Sequence, residues 1–128
     1  MFLGNLSVAN SVENENIPIN TLIATNRKVV NDTTNNTLKL TKAGIYNIDG
    51  WITLSGATGT FAVLLFADGT LRDSIAVTTT ADDQFVTVPI VDAVRAIIAN
   101  YPEVADISLR VDEGGLTLDG LIRVEYLQ

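Results

Sequence analysis

Between Ile45 and Ser55 the chain alternates apolar and polar residues with a period of two, and this run confines it to a β-rich fold. Tyr46, Ile48, Ile52 and Leu54 fall on one side, with Gly50 as a gap. Asn47, Asp49, Thr53 and Ser55 fall on the other, and Trp51 breaks that polar set. Period two over this length describes a strand with one face buried.

Shorter runs repeat the signal. Thr37–Thr41 alternates and stops at the Lys42-Ala43-Gly44 turn. Phe61–Ala67 is apolar on both faces and ends at Asp68-Gly69, a hairpin signal. Leu71–Thr79, Gln84–Val88 and Asp106–Val111 read as further strands, and Leu116–Leu127 as a last one interrupted at Asp119-Gly120. Ile19–Ile23 and Lys28–Val30 read as brief edge strands, with Asn31–Asn36 a loop by composition. Val91, Val94, Ile97 and Ile98 recur at helical spacing before Pro102, which predicts a short amphipathic helix over Ile90–Tyr101. Strands separated by turn signals every dozen residues or so predict an all-β, antiparallel jelly-roll sandwich over residues 21–128. An asparagine-rich arm, residues 1–20, is expected to precede it.

Composition narrows the partners. The chain has 128 residues, enough for one domain, and is 47% hydrophobic against 18% charged. That is apolar for a well-solvated monomer, so either the core is large or a partner covers part of the surface. Fifteen acidic against eight basic residues, a net charge of -7, argue against nucleic acid and against anionic membrane surfaces. Cysteine and histidine are both absent. Their absence removes disulfides and thiolate chemistry, the commonest general base and the commonest transition-metal ligand. The first cation is Arg27, and no run reaches the roughly 20 apolar residues of a membrane span. Neither a secretion signal nor a membrane segment is therefore expected. Assembly in a reducing cytoplasm fits, and the Asn-x-Ser/Thr triplets at Asn5, Asn31 and Asn35 are taken as chance.

Sites for chemistry are sparse. Asp82-Asp83 and Asp112-Glu113 are readable as paired carboxylates, as calcium ligands or as solvated turns, and the turn is the preferred reading. Gly56, Gly59, Gly114 and Gly115 form no phosphate cradle, and Arg27-Lys28 is too small for a nucleic-acid patch. No catalytic residue, cofactor or metal ligand is expected.

The run Leu40-Thr41-Lys42-Ala43-Gly44-Ile45-Tyr46-Asn47-Ile48-Asp49-Gly50-Trp51-Ile52-Thr53-Leu54 resembles the central strand of the tumour-necrosis-factor-like and complement-globular-head jelly rolls. Phe61–Gly69 resembles the family's next strand and Gly120–Leu127 its last. The helix expected at Ile90–Tyr101 departs from that pattern, and the first 36 residues have no evident counterpart in it. Short, cysteine-free versions of this fold occur among bacteriophage virion proteins and bacterial spore-surface trimers. The resemblance implies a homotrimer, with the central and last strands facing the threefold axis. Ile45, Trp51, Leu121, Arg123 and Leu127 would then line the interface. It further implies a capsid decoration protein on the virion surface, assembled in the host cytoplasm. Its partner would be the major capsid protein, and Phe2, Leu3, Leu6 and Val8 would anchor the arm. The alternative is a head-fibre or tail-fibre tip recognising a cell-surface glycan or protein. A glycan hydrolase stands third, and would need two carboxylates facing each other across a groove.

Overall fold

The computed structural model describes residues 1–25, 27–96 and 105–127. Ten strands carry the alternating runs: β1 (Phe2–Val8), β2 (Ile19–Ala24), β3 (Val29–Asp32), β4 (Thr37–Leu40), β5 (Gly44–Ser55), β6 (Gly59–Ala67), β7 (Thr70–Thr79), β8 (Val86–Ala96), β9 (Ala105–Val111) and β10 (Thr117–Tyr126). They form two five-stranded sheets, ordered β2-β1-β10-β5-β8 and β3-β4-β9-β6-β7, in which neighbouring strands run antiparallel. This is a jelly roll, and no helix occurs among the described residues.

The core lies between the sheets. The first sheet contributes Phe2, Leu6, Tyr46, Ile48, Ile52, Leu54, Leu118, Ile122 and Val124, and the second Leu38, Leu40, Val63, Leu65, Ile107 and Leu109, all buried. Each large apolar side chain so buried contributes roughly 1.5–3 kcal/mol. Tyr46 is buried to its ring, and its hydroxyl donates to the Lys42 carbonyl at 2.7 Å, fastening the β4–β5 turn. Burial raises its pKa above the usual tyrosine value. The Tyr126 ring meets Tyr46 edge-on at 5.2 Å.

Two expectations change. Over Ile90–Ala96 the predicted helix is strand, while residues 97–101 of that prediction lie outside the described residues. β5 is long, and β8 pairs with it from Leu54↔Val86 to Gly44↔Ala96. Satisfying that row of backbone groups outweighs a short helical pattern. Val88 and Ile90 point inward, whereas Val91, the first residue of the supposed helical stripe, is 69% exposed. Pro89 is tolerated because β8 is an edge strand. The expected arm at residues 1–20 is largely built into the sandwich. β1 runs between β2 and β10, so Phe2 and Leu6 fill the core instead of reaching for a partner. Leu3 and Val8 are half-buried.

The loops joining β1–β2, β3–β4, β5–β6, β7–β8 and β9–β10 gather at one end of the sandwich. They are tied together by Ser11 N to Leu116 O (2.8 Å), Gly56 N to Asp82 O (2.9 Å) and Asn16 Nδ2 to Asn35 O (3.0 Å).

Candidate functional site

Period two sends every second residue of β5 and β10 away from the core, and the outward set includes the large apolar residues Ile45, Trp51 and Leu121 among polar ones. Trp51 is 38% exposed and pairs across the strands with Leu121, which is half-buried. On the other side of Trp51 its partner is Pro89 of β8, and on the other side of Leu121 it is Asn5 of β1. The next row reads Ile23, Leu3, Arg123, Asp49, Val91 across all five strands. Beyond the strand ends, Leu127 N donates to the Ile45 carbonyl at 2.8 Å, and the Leu127 side chain is 51% exposed.

Of the five residues read from the sequence as an interface, Ile45, Trp51, Leu121 and Arg123 occupy outward positions on two adjacent strands, and Leu127 directly follows β10. Sequence reasoning missed Ile23, Val91 and Asp49, and it gave Leu3 to the arm. The alternation Phe2, Gly4, Leu6 against Leu3, Asn5, Ser7 is the signal that would have placed β1 in this sheet.

Two glycines shape the face. A methyl group on Gly50 would stand 2.0 Å from the Leu121 carbonyl oxygen, and one on Gly120 would stand 2.2 Å from that of Trp51. β5 and β10 therefore approach each other closely at the Trp51–Leu121 pair, where only glycine fits. At the centre of the face Arg123 grips Asp49 with two parallel hydrogen bonds, Nε to Oδ1 at 2.9 Å and Nη2 to Oδ2 at 2.5 Å. That contact holds the guanidinium pKa above its usual value.

The carboxylates singled out in the sequence have local duties. Asp82 accepts the Thr58 hydroxyl at 2.5 Å, Asp112 accepts Ala62 N at 2.7 Å, and Asp68 accepts Asp106 N at 2.7 Å. Among the described residues no group of three acidic side chains could hold a metal ion. A cleft of about 170 Å³ opens at the loop end between Val8, Asn10, Glu15, Asn16 and Leu118. Its one carboxylate is Glu15, whereas the hydrolase reading needs a facing pair. No described helix is long and apolar enough to cross a membrane.

No family model and no curated protein matches the sequence. Solved structures do match the fold. Murine APRIL at pH 5.0 aligns with a TM-score of 0.68 at 10% identity, over 95% of this chain and 98% of that one. The PRD1 vertex protein P5 aligns with a TM-score of 0.63 at 13% identity, over 99% and 97% of the two chains. Murine APRIL at pH 8.5 gives 0.64 at 9% identity, over 95% and 98%. The fold is a jelly roll of the tumour-necrosis-factor-like type.

Proposed function

We propose that this jelly roll is a bacteriophage structural protein that works as a homotrimer on the virion, decorating and stabilising the outer capsid surface. The observation that carries the reading is the outward face of β5 and β10. There Trp51 and Leu121 are opposed on a fold shared end to end with a vertex protein. Single exposed apolar residues are ordinary, but here Trp51, Leu121, Leu3, Ile23 and Val91 share one face of the sheet, and such grouping marks an association surface.

A second copy of this chain is the occupant that fits. The molecule carries a net charge of -7, so copies repel unless they meet through a neutral surface. The two central rows of this face are neutral, because Arg123 cancels Asp49. Each copy would bury Ile45, Trp51, Leu121 and Leu127 against its neighbour, and aromatic side chains are enriched in such interface cores. Three linked copies on a capsid would engage the major capsid protein at several points at once, gaining avidity without new contacts.

The fibre-tip reading shares the trimer and differs in what the trimer touches. Light scattering on the purified protein, together with co-sedimentation on empty capsids and on host cells, tests both. A three-copy mass with retention on capsids supports decoration, and retention on cells alone supports the tip. A monomer mass at micromolar concentration defeats the trimer.

A further inference from the structure

Arg123 and Asp49 stand between an apolar row and a polar one, Leu121 and Trp51 on one side and Glu125 and Asn47 on the other. In their own row Leu3 flanks the arginine and Val91 the aspartate, and the next row holds Leu121 and Trp51. An ion pair on open surface contributes little. Under an interface the same pair loses its water, and its polar atoms then need partners within the assembly. The guanidinium has five N–H groups, of which the contact with Asp49 uses one on Nε and one on Nη2. Three donors, and the remaining lone pairs of the Asp49 carboxylate, are not used by this contact.

Resting on the self-assembly reading above, we propose that the Arg123–Asp49 pair sets the register of the interface. Its unused donors and acceptors take polar groups of the neighbouring copy. The apolar residues beside it, Trp51, Leu121, Leu3 and Val91, would by themselves accept many sliding positions, since apolar contact is non-directional. Only a docking position that hydrogen-bonds both ions avoids leaving their other donors and acceptors unsatisfied once water is excluded. The pair therefore selects one arrangement, and with it one number of copies.

The test is native mass spectrometry with sedimentation velocity on the full chain. Wild type is compared with Arg123→Met, Asp49→Leu, the double variant carrying both, and a charge-reversed double, Arg123→Asp with Asp49→Arg. Wild type should give a single three-copy species. Each single variant should assemble more than about tenfold less tightly, because it strands one ion. The apolar double should assemble again, but as a mixture of copy numbers. The charge-reversed double reports on folding and pairing together, and should assemble better than either single variant. A uniform three-copy apolar double, or single variants that assemble like wild type, would overturn the register role and leave the trimer standing. A wild type that stays monomeric overturns the self-assembly reading, and this inference with it.

Discussion

Trp51 and Leu121 lie directly opposite each other on β5 and β10, both on the side of the sheet that the sandwich core does not use. Such aromatic and aliphatic cross-strand pairs stabilise a sheet locally. Here the pair also places an exposed indole where a buried one would be unremarkable.

Trp51 is the chain's single tryptophan, so its fluorescence reports on this face alone. On raising the protein concentration, its emission should shift to shorter wavelength as a neighbouring copy displaces water. Leu121→Ser should abolish the shift without altering the far-ultraviolet circular dichroism. A wild-type emission maximum that stays fixed with concentration contradicts burial of Trp51.

Gly120→Ala should destabilise the fold. The new methyl group meets Trp51 O at 2.2 Å and Ile52 Cα at 3.0 Å, both backbone atoms that cannot rotate away. A cost of about 1–3 kcal/mol is expected from the overpacking, read as a lower midpoint in urea unfolding. Gly114→Ala is the control, because its nearest contact would be an ordinary 3.6 Å. Equal midpoints for the two variants would contradict the close approach of β5 and β10.

Much of this face was legible in the sequence because Trp51 and Leu121 violate an otherwise regular alternation. Violations of period two survive any uncertainty about strand ends. The first strand was not legible. Asparagines around Phe2–Val8 suggested an irregular arm, and composition concealed a short alternation that only pairing with β10 and β2 makes decisive. The helix expected at Ile90–Tyr101 failed for a related reason. Val91 satisfied a helical spacing by chance, and the long partner edge of β5, invisible to local pattern, fixed Val86–Ala96 as strand. Asp49 was read as an ordinary polar position because its role depends on Arg123, which lies 74 residues away in the chain.

Tyr46 should be a late-titrating tyrosine. Its pKa is raised by burial, so the folded state holds the proton at alkaline pH where the unfolded chain releases it. The stability that this supplies is complete below about pH 10 and is lost as pH rises through the higher folded-state value. Tyr46→Phe should remove the last phase of the tyrosinate absorbance titration. It should also cost about 1 kcal/mol at neutral pH through loss of the bond to the Lys42 carbonyl. An unchanged last phase would contradict the raised pKa of Tyr46.

Asp32 organises the β3–β4 turn, accepting Asn35 Nδ2 at 2.9 Å and Thr34 N at 3.0 Å. The side-chain bond from Asn35, then its backbone N–H, hold the Asp32 carboxyl below the ordinary carboxylate range. The sign follows: the contribution is present above the unfolded value of about 4 and fades as pH falls through the folded one. Asp32→Asn should lower the melting temperature at neutral pH, and the gap to wild type should narrow as pH falls below the unfolded value. A gap that stays constant across that range would remove Asp32 from the acid response.

The pairing of β1 with β10 sets a timetable for folding. Phe2 meets Val124 and Val8 meets Leu118, so β1 finds its neighbour in a strand far along the chain. Until β10 arrives, β1 and β5 each present an open edge with no neighbour on that side, a template for joining other chains. This sheet thus closes through contacts of long sequence separation, the slowest kind to form. By filling the gap between β1 and β5, β10 removes both edges in one step.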